Sequence, residues 1–195
     1  MSTWQWILIA SAIVVVAALI IVAVRFGGGR KRSERIKEQF GPEYDRVVSE
    51  TGDEKAAQRE LAARARKRDK LHIVELTPSA RTGYVTRWAQ VQTTFVDDPS
   101  GAVGIADMLV TEVMRERGYP VDDFERRAAD ISVDHPQVVE NYRAAHDVHT
   151  AQQRGNVNTE RQREAFVHYR ALFERLLDTN DNSKEHAHDH PRPTR

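Results

Sequence analysis

DDPSGAVGIADMLVTEVMRERGYPVDDFE, residues 97–125, decides the fold. Asp98-Pro99 reads as a helix start, because the carboxylate can accept from orphan amides and proline is tolerated at the first helical position. Ile105, Met108/Leu109 and Val113, with Val110 beside them, recur every three or four residues and predict one amphipathic helix to about Arg117. Gly118 supplies a C-terminal stop, and Tyr119-Pro120 a turn. Asp122 with Glu125 three residues on resembles a capping box, Asp standing in for Ser or Thr. It predicts a short helix over 123–131.

The same grammar extends in both directions. On the N-terminal side, Thr77-Pro78 opens a helix to about Val96, with Tyr84, Trp88, Val91 and Phe95 as its stripe. On the C-terminal side, Asp134 with Pro136 opens a helix to about Gln153 along Val138/Val139, Tyr142, Ala145 and Val148. Arg154-Gly155-Asn156 is a loop. Thr159-Glu160-Arg161-Gln162 reads as a capping box for a last helix to about Asp178, along Phe166, Tyr169, Leu172/Phe173 and Leu176/Leu177. No segment alternates with the period of two that a strand requires. The fold class is therefore all-α, with residues 77–178 as an orthogonal or up-down bundle of about five helices.

Upstream, residues 33–76 read as a charged helical stalk. Ile36, Phe40, Tyr44 and Val47/Val48 share a face, Gly41-Pro42 interrupts the run, and Thr51-Gly52 ends it. Asp53 then caps a helix from Glu54 to about Lys70 whose apolar face, Ala57, Leu61 and Ala65, is thin. The run Arg64, Arg66, Lys67, Arg68, Lys70 reads as a solvated face, with the membrane surface as a second use. His72 to Leu76 is an extended connector, and residues 27–32 are a Gly-rich basic hinge.

Residues 1–26 read as a transmembrane anchor. Ile7 to Val24 carries no charge, and the 21 residues from Trp4 to Val24 would rise about 31 Å as a helix, close to the ~30 Å of a hydrocarbon core. Trp4 and Trp6 stand where an interfacial aromatic belt would lie, and Arg25 ends the run. No basic n-region precedes it and Val24-Arg25-Phe26 is a poor cleavage site, so it reads as an uncleaved span and not a signal peptide. Every flanking basic residue lies on its C-terminal side, Arg30, Lys31 and Arg32 foremost. This places the N-terminus outside and the rest in the cytoplasm. The same cluster can also touch anionic lipid headgroups. At the other end, residues 179–195 lack an apolar pattern and read as a disordered His-containing tail.

The chain balances 29 basic against 29 acidic residues, but unevenly. Residues 25–42 hold six basic against two acidic, and residues 77–130 six basic against nine acidic. A nucleic-acid domain needs a concentrated basic face, so nucleic acid is not an expected partner. With no cysteine, disulfides, thiolate metal sites and cysteine nucleophiles are excluded.

Metal is the first chemistry weighed. His186, His188 and His190 alternate in the tail, His146 and His149 share a helical face, and His168 lies on the next helix. The Glu-x-x-His spacing of di-iron bundles is missing: neither His146 nor His149 has Glu three residues before it. Packing or solvated histidines are the simpler account. Asp97, Asp98, Asp122, Asp123 and Asp134 could serve acid–base work or hold a divalent cation, but helix capping explains Asp98, Asp122 and Asp134. Tyr84, Trp88, Tyr142 and Tyr169 read as core, with a ligand slot between helices as the alternative. No nucleophile elbow, phosphate loop or zinc-protease motif is present, and no cofactor is expected.

Three stretches carry a resemblance: Phe40-Gly41-Pro42-Glu43-Tyr44-Asp45, Phe95-Val96-Asp97-Asp98-Pro99, and the run from Arg117 to Phe124 continuing through Asp134-His135-Pro136 to His146. Over residues 33–178 the chain resembles an uncharacterised family of bacterial, largely actinobacterial, proteins described only as hypothetical single-pass membrane or "secreted" proteins. The resemblance implies no activity, cofactor or site residue. The expected function is a membrane-tethered helical protein-interaction module with a protein partner at the inner membrane face. The alternative is a ligand- or metal-binding helical domain using the bundle or tail histidines.

Overall fold

Helix starts and stops organise the chain, and most fall where the sequence puts them. The computed structural model describes Trp4, residues 33–155 and residues 157–178. The chain divides into two compact units, Met1–Gln39 and Phe40–Arg195. In the first, Trp4 is helical and exposed, and residues 33–39 are helical. The expected span, with Trp6, Ile7, Val24 and Arg25, lies outside the described residues, as do Arg30, Lys31, Arg32 and the tail. Among the described residues no helix is long and apolar enough to cross a membrane.

The second unit holds α1 (Pro42–Thr51), α2 (Glu54–Arg68), α3 (Pro78–Asp97), α4 (Pro99–Glu116), α5 (Phe124–Asp134), α6 (Pro136–Arg154) and α7 (Thr159–Leu177). Helix is the only regular secondary structure among its described residues, and α3 to α7 are the five-helix bundle expected from the sequence. α7 packs along α6 and α4, α3 lies on α4, and α5 on α6. One apolar core runs through all five, from Tyr84 and Trp88 through Leu109, Val113, Ile131 and Tyr142 to Tyr169 and Leu176.

Capping shows how local the control is. Asp53, Thr77 and Asp98 cap α2, α3 and α4, their side chains accepting from Lys55, Ala80 and Gly101 amides. Three expected caps shift by one residue or fail. Asp123, not Asp122, accepts from the Arg126 amide, so α5 starts later than expected and runs on to Asp134. Asn158, not Thr159, accepts from Arg161, since an amide oxygen caps as well as a hydroxyl. Asp134 ends α5, and the N-cap position before Pro136 falls to His135, at φ -135 and ψ 57, which makes no side-chain cap bond.

The stripe expected on α4 is also rotated. Leu109, Val110 and Val113 are buried, but Ile105 and Met108 are exposed. The seam runs instead through Ala102, Ala106, Leu109 and Val113, because the alanines let neighbouring helices approach closely.

The larger correction concerns residues 40–76, which are not a stalk apart from the bundle. α1 packs on α2 and α6, and α2 packs on α5. Phe40, Val47, Ala57 and Leu61 are fully buried. The thin apolar face misled because charged side chains supply much of the contact. The connector 72–76 carries no helix. The Val74 amide donates to the Arg117 carbonyl at 2.9 Å. Gly118, at φ 93, lets it pass: a Cβ there would strike the His72 carbonyl oxygen.

Candidate functional site

Two of the candidate histidines come together. His146 and His149, one turn apart on α6, have ring centroids 6.3 Å apart. The His146 Nδ1 lies 3.6 Å from Asp107 Oδ1 on α4, and the same oxygen accepts from the Tyr169 hydroxyl of α7 at 2.9 Å. His146 stacks on Phe124 of α5 at 3.6 Å between centroids and 8° between planes. The His149 ring lies over Gly104, 3.6 Å from where a Cβ would stand. Three helices thus meet at one carboxylate, and a fourth joins through the Phe124–His146 stack. Burial pushes the Asp107 carboxyl upward, but the close approach of His146, the Tyr169 hydrogen bond and the nearby His149 more than offset it, holding it below the ordinary value. The same burial, with Asp107 as acceptor, drives the Tyr169 phenol far up, so that hydroxyl stays a donor.

His168 does not complete a metal set. Among the described residues no group of three or more His, Asp or Glu side chains is arranged to hold a metal ion. His186, His188 and His190 lie outside the described residues.

A second carboxylate is more deeply held. Glu43 of α1 is fully buried. Arg46 binds both its oxygens, at 2.7 and 2.9 Å. Arg64 of α2 donates to it at 2.7 Å, and Arg143 of α6 at 3.4 Å. Each arginine has an outer acid as well: Glu50 for Arg46, Glu60 for Arg64 and Glu125 for Arg143. Burial raises the Glu43 carboxyl, and the three guanidinium groups override it and hold it low.

The third cluster uses Asp134. Arg68 of α2 pairs with it at 2.6 Å, and the Tyr119 hydroxyl donates to it at 2.5 Å. Lys67 reaches the buried Asp130 at 3.4 Å. Beside them, buried Arg117 donates to the Leu176 carbonyl at 3.0 Å and to Val74 at 3.3 Å. All these groups tie helices to one another, which is structural work.

The other candidates divide similarly. Asp98 caps α4, and with Asp97, Gln90, Thr93 and Thr94 it lines a shallow, open depression. Trp88 stacks between Phe166 and Phe173 at 5.1 and 4.6 Å, and Tyr142 meets Tyr169 edge-on. Those aromatics are core.

Glu43 and Asp107 were not singled out from the sequence, yet each had a signal. Glu43 falls on the face of Phe40, Tyr44 and Val47, and Asp107 on that of Val103, Val110 and Met114. A carboxylate inside an apolar stripe must be paired when buried. The chain matches no protein-family model, and comparisons with curated proteins and with solved structures find no match.

Proposed function

We propose that the chain is a membrane-tethered, non-catalytic adaptor whose helical unit meets a protein partner at the inner face of the membrane, with residues 7–24 as its single span. One observation carries the reading. The inward-facing polar groups of the unit hold helices together, while Ile105 and Met108 stand out into solvent one turn apart on α4. An apolar pair outside a bundle whose own seam is already filled is what a contact surface supplies.

The test is a photo-cross-linking amino acid at Met108 in living cells. One discrete protein adduct is expected, absent when the same group replaces Val96, exposed on α3, and lost with Ile105→Glu. A smear indistinguishable from the Val96 control would refute the adaptor.

A second reading is ligand binding, with the meeting of Asp107, His146 and His149 in its favour, or metal held with histidines outside the described residues. Elemental analysis of the purified full chain separates the two. Metal well below one equivalent removes the metal version, the tail histidines included.

A further inference from the structure

The basic residues of α2 fall into two sets. Arg64, Lys67 and Arg68 turn toward the unit and pair with Glu43 and Glu60, Asp130, and Asp134. Lys55, Arg59 and Arg66, with Lys70 in the turn that follows, are exposed, and none makes an ion pair among the described residues. Arg59 Nε donates to the Lys55 carbonyl at 3.2 Å, leaving its charge in solvent. Lys55, Arg59, exposed Ala63 and Arg66 recur every three or four residues. They lie diametrically opposite Ala57, Leu61, Arg64 and Arg68, the face against the unit. From Lys55 to Arg66 the row runs about 17 Å. The unit otherwise leans acidic: residues 40–178 carry 20 basic against 24 acidic side chains.

We propose that this outward row of α2 docks flat on an anionic bilayer surface, an inference that rests on the membrane-tethered reading. A straight row of solvated cations on a convex helix suits a plane of headgroup charge. Nucleic acid fits it less well, since no aromatic side chain is interleaved for stacking on bases and no groove tracks a strand. A tether also favours the plane. Only 15 residues separate Val24 from Phe40, which spans at most about 50 Å when extended. The surface is therefore presented at high effective concentration, and weak contacts are sufficient. Holding α2 down would turn the opposite side of the unit toward the cytoplasm.

The chain lacks cysteine, so Ala63→Cys gives one labelling position at the centre of the row. The full chain, spin-labelled there, is reconstituted into vesicles of phosphatidylcholine alone or with about one-third phosphatidylserine, each doped with a nickel-chelating lipid. Docking predicts a several-fold rise in collisions with headgroup nickel in the anionic vesicles. That rise should vanish in about 0.5 M salt, where screening length falls to a few ångström. It should vanish too in the quadruple variants K55E/R59E/R66E/K70E and K55Q/R59Q/R66Q/K70Q, while a label at exposed Gln137 on α6 stays unchanged. Equal collision rates in the two lipids overturn the docking while leaving the anchor intact, provided the chain floats with neutral vesicles. A chain that floats with neither kind of vesicle refutes the tether and the docking together. Salt-sensitive binding of a duplex oligonucleotide through the same four residues, without the lipid effect, would assign the row to nucleic acid and overturn the proposal.

Discussion

Glu43 shows at one residue how this domain uses charge. Its carboxylate is fully buried against three arginines, so desolvation is offset by paired charge and several hydrogen bonds. Removing one partner from such a site costs more than the pair contributes, because the others stay buried. Glu43→Gln keeps the shape and removes the charge. It is expected to lower stability by about 2–4 kcal/mol, read from a urea midpoint at unchanged slope. The arginines retain their outer acids, which limits the loss. A shift within experimental error would mean that the clasp is incidental.

His135 carries the opposite sign. Burial first, then the nearby Arg117, Arg175 and Arg68, push its imidazole down to about 4. The folded protein thus holds it neutral where the unfolded chain takes a proton. Stability from this group is complete above pH ~6.5, drains as pH falls towards ~4, and is flat below that. His135→Asn cannot titrate, and its amide can cap α6. The stability lost between pH 7 and pH 5 should therefore be about 1–2 kcal/mol smaller in the variant than in the parent. Identical pH profiles would contradict the assignment.

At the scale of the element, two features separate the structure from what the sequence suggests. α7 is capped by Asn158, so Asn158→Ala should cost about 1 kcal/mol, while Thr159→Ala should cost little. The reverse ranking in thermal melts would restore the capping box read from Thr159. α2 belongs to the domain through Leu61. Leu61→Ala should then cost about 2–5 kcal/mol, whereas a free stalk would leave the melting of the bundle unchanged.

Both features show what was legible. The starts at Asp53, Thr77 and Asp98 and the stop at Gly118 could be read because each rests on a local bond. The stripes of α6 and α7 could be read because large apolar residues mark them. The α4 seam could not be phased, since Ala102 and Ala106 carry little hydrophobic weight and Ile105 and Met108 outvote them. The role of α2 was hidden for a related reason: Arg64 and Arg68 look solvated until Glu43 and Asp134 are brought to them from 21 and 66 residues away. The His146–Asp107 approach is likewise long-range, so spacing alone could pair the histidines but not find their acid.

At the scale of the whole molecule, equal numbers of acids and bases conceal a division of labour. Within residues 40–178 the inward charges join helices, while the outward cations of α2 and Ile105 and Met108 stand exposed. On the proposed reading such surfaces gain meaning from where the unit is held, which the apolar run at 7–24 and the basic residues that follow it would set. Fusing residue 195 to a reporter active only inside the cell, and separately to one active only outside, tests this directly. Membrane-bound fusions are expected, with the internal reporter active and the external one silent. External activity, or fusions recovered in the soluble fraction, would contradict it.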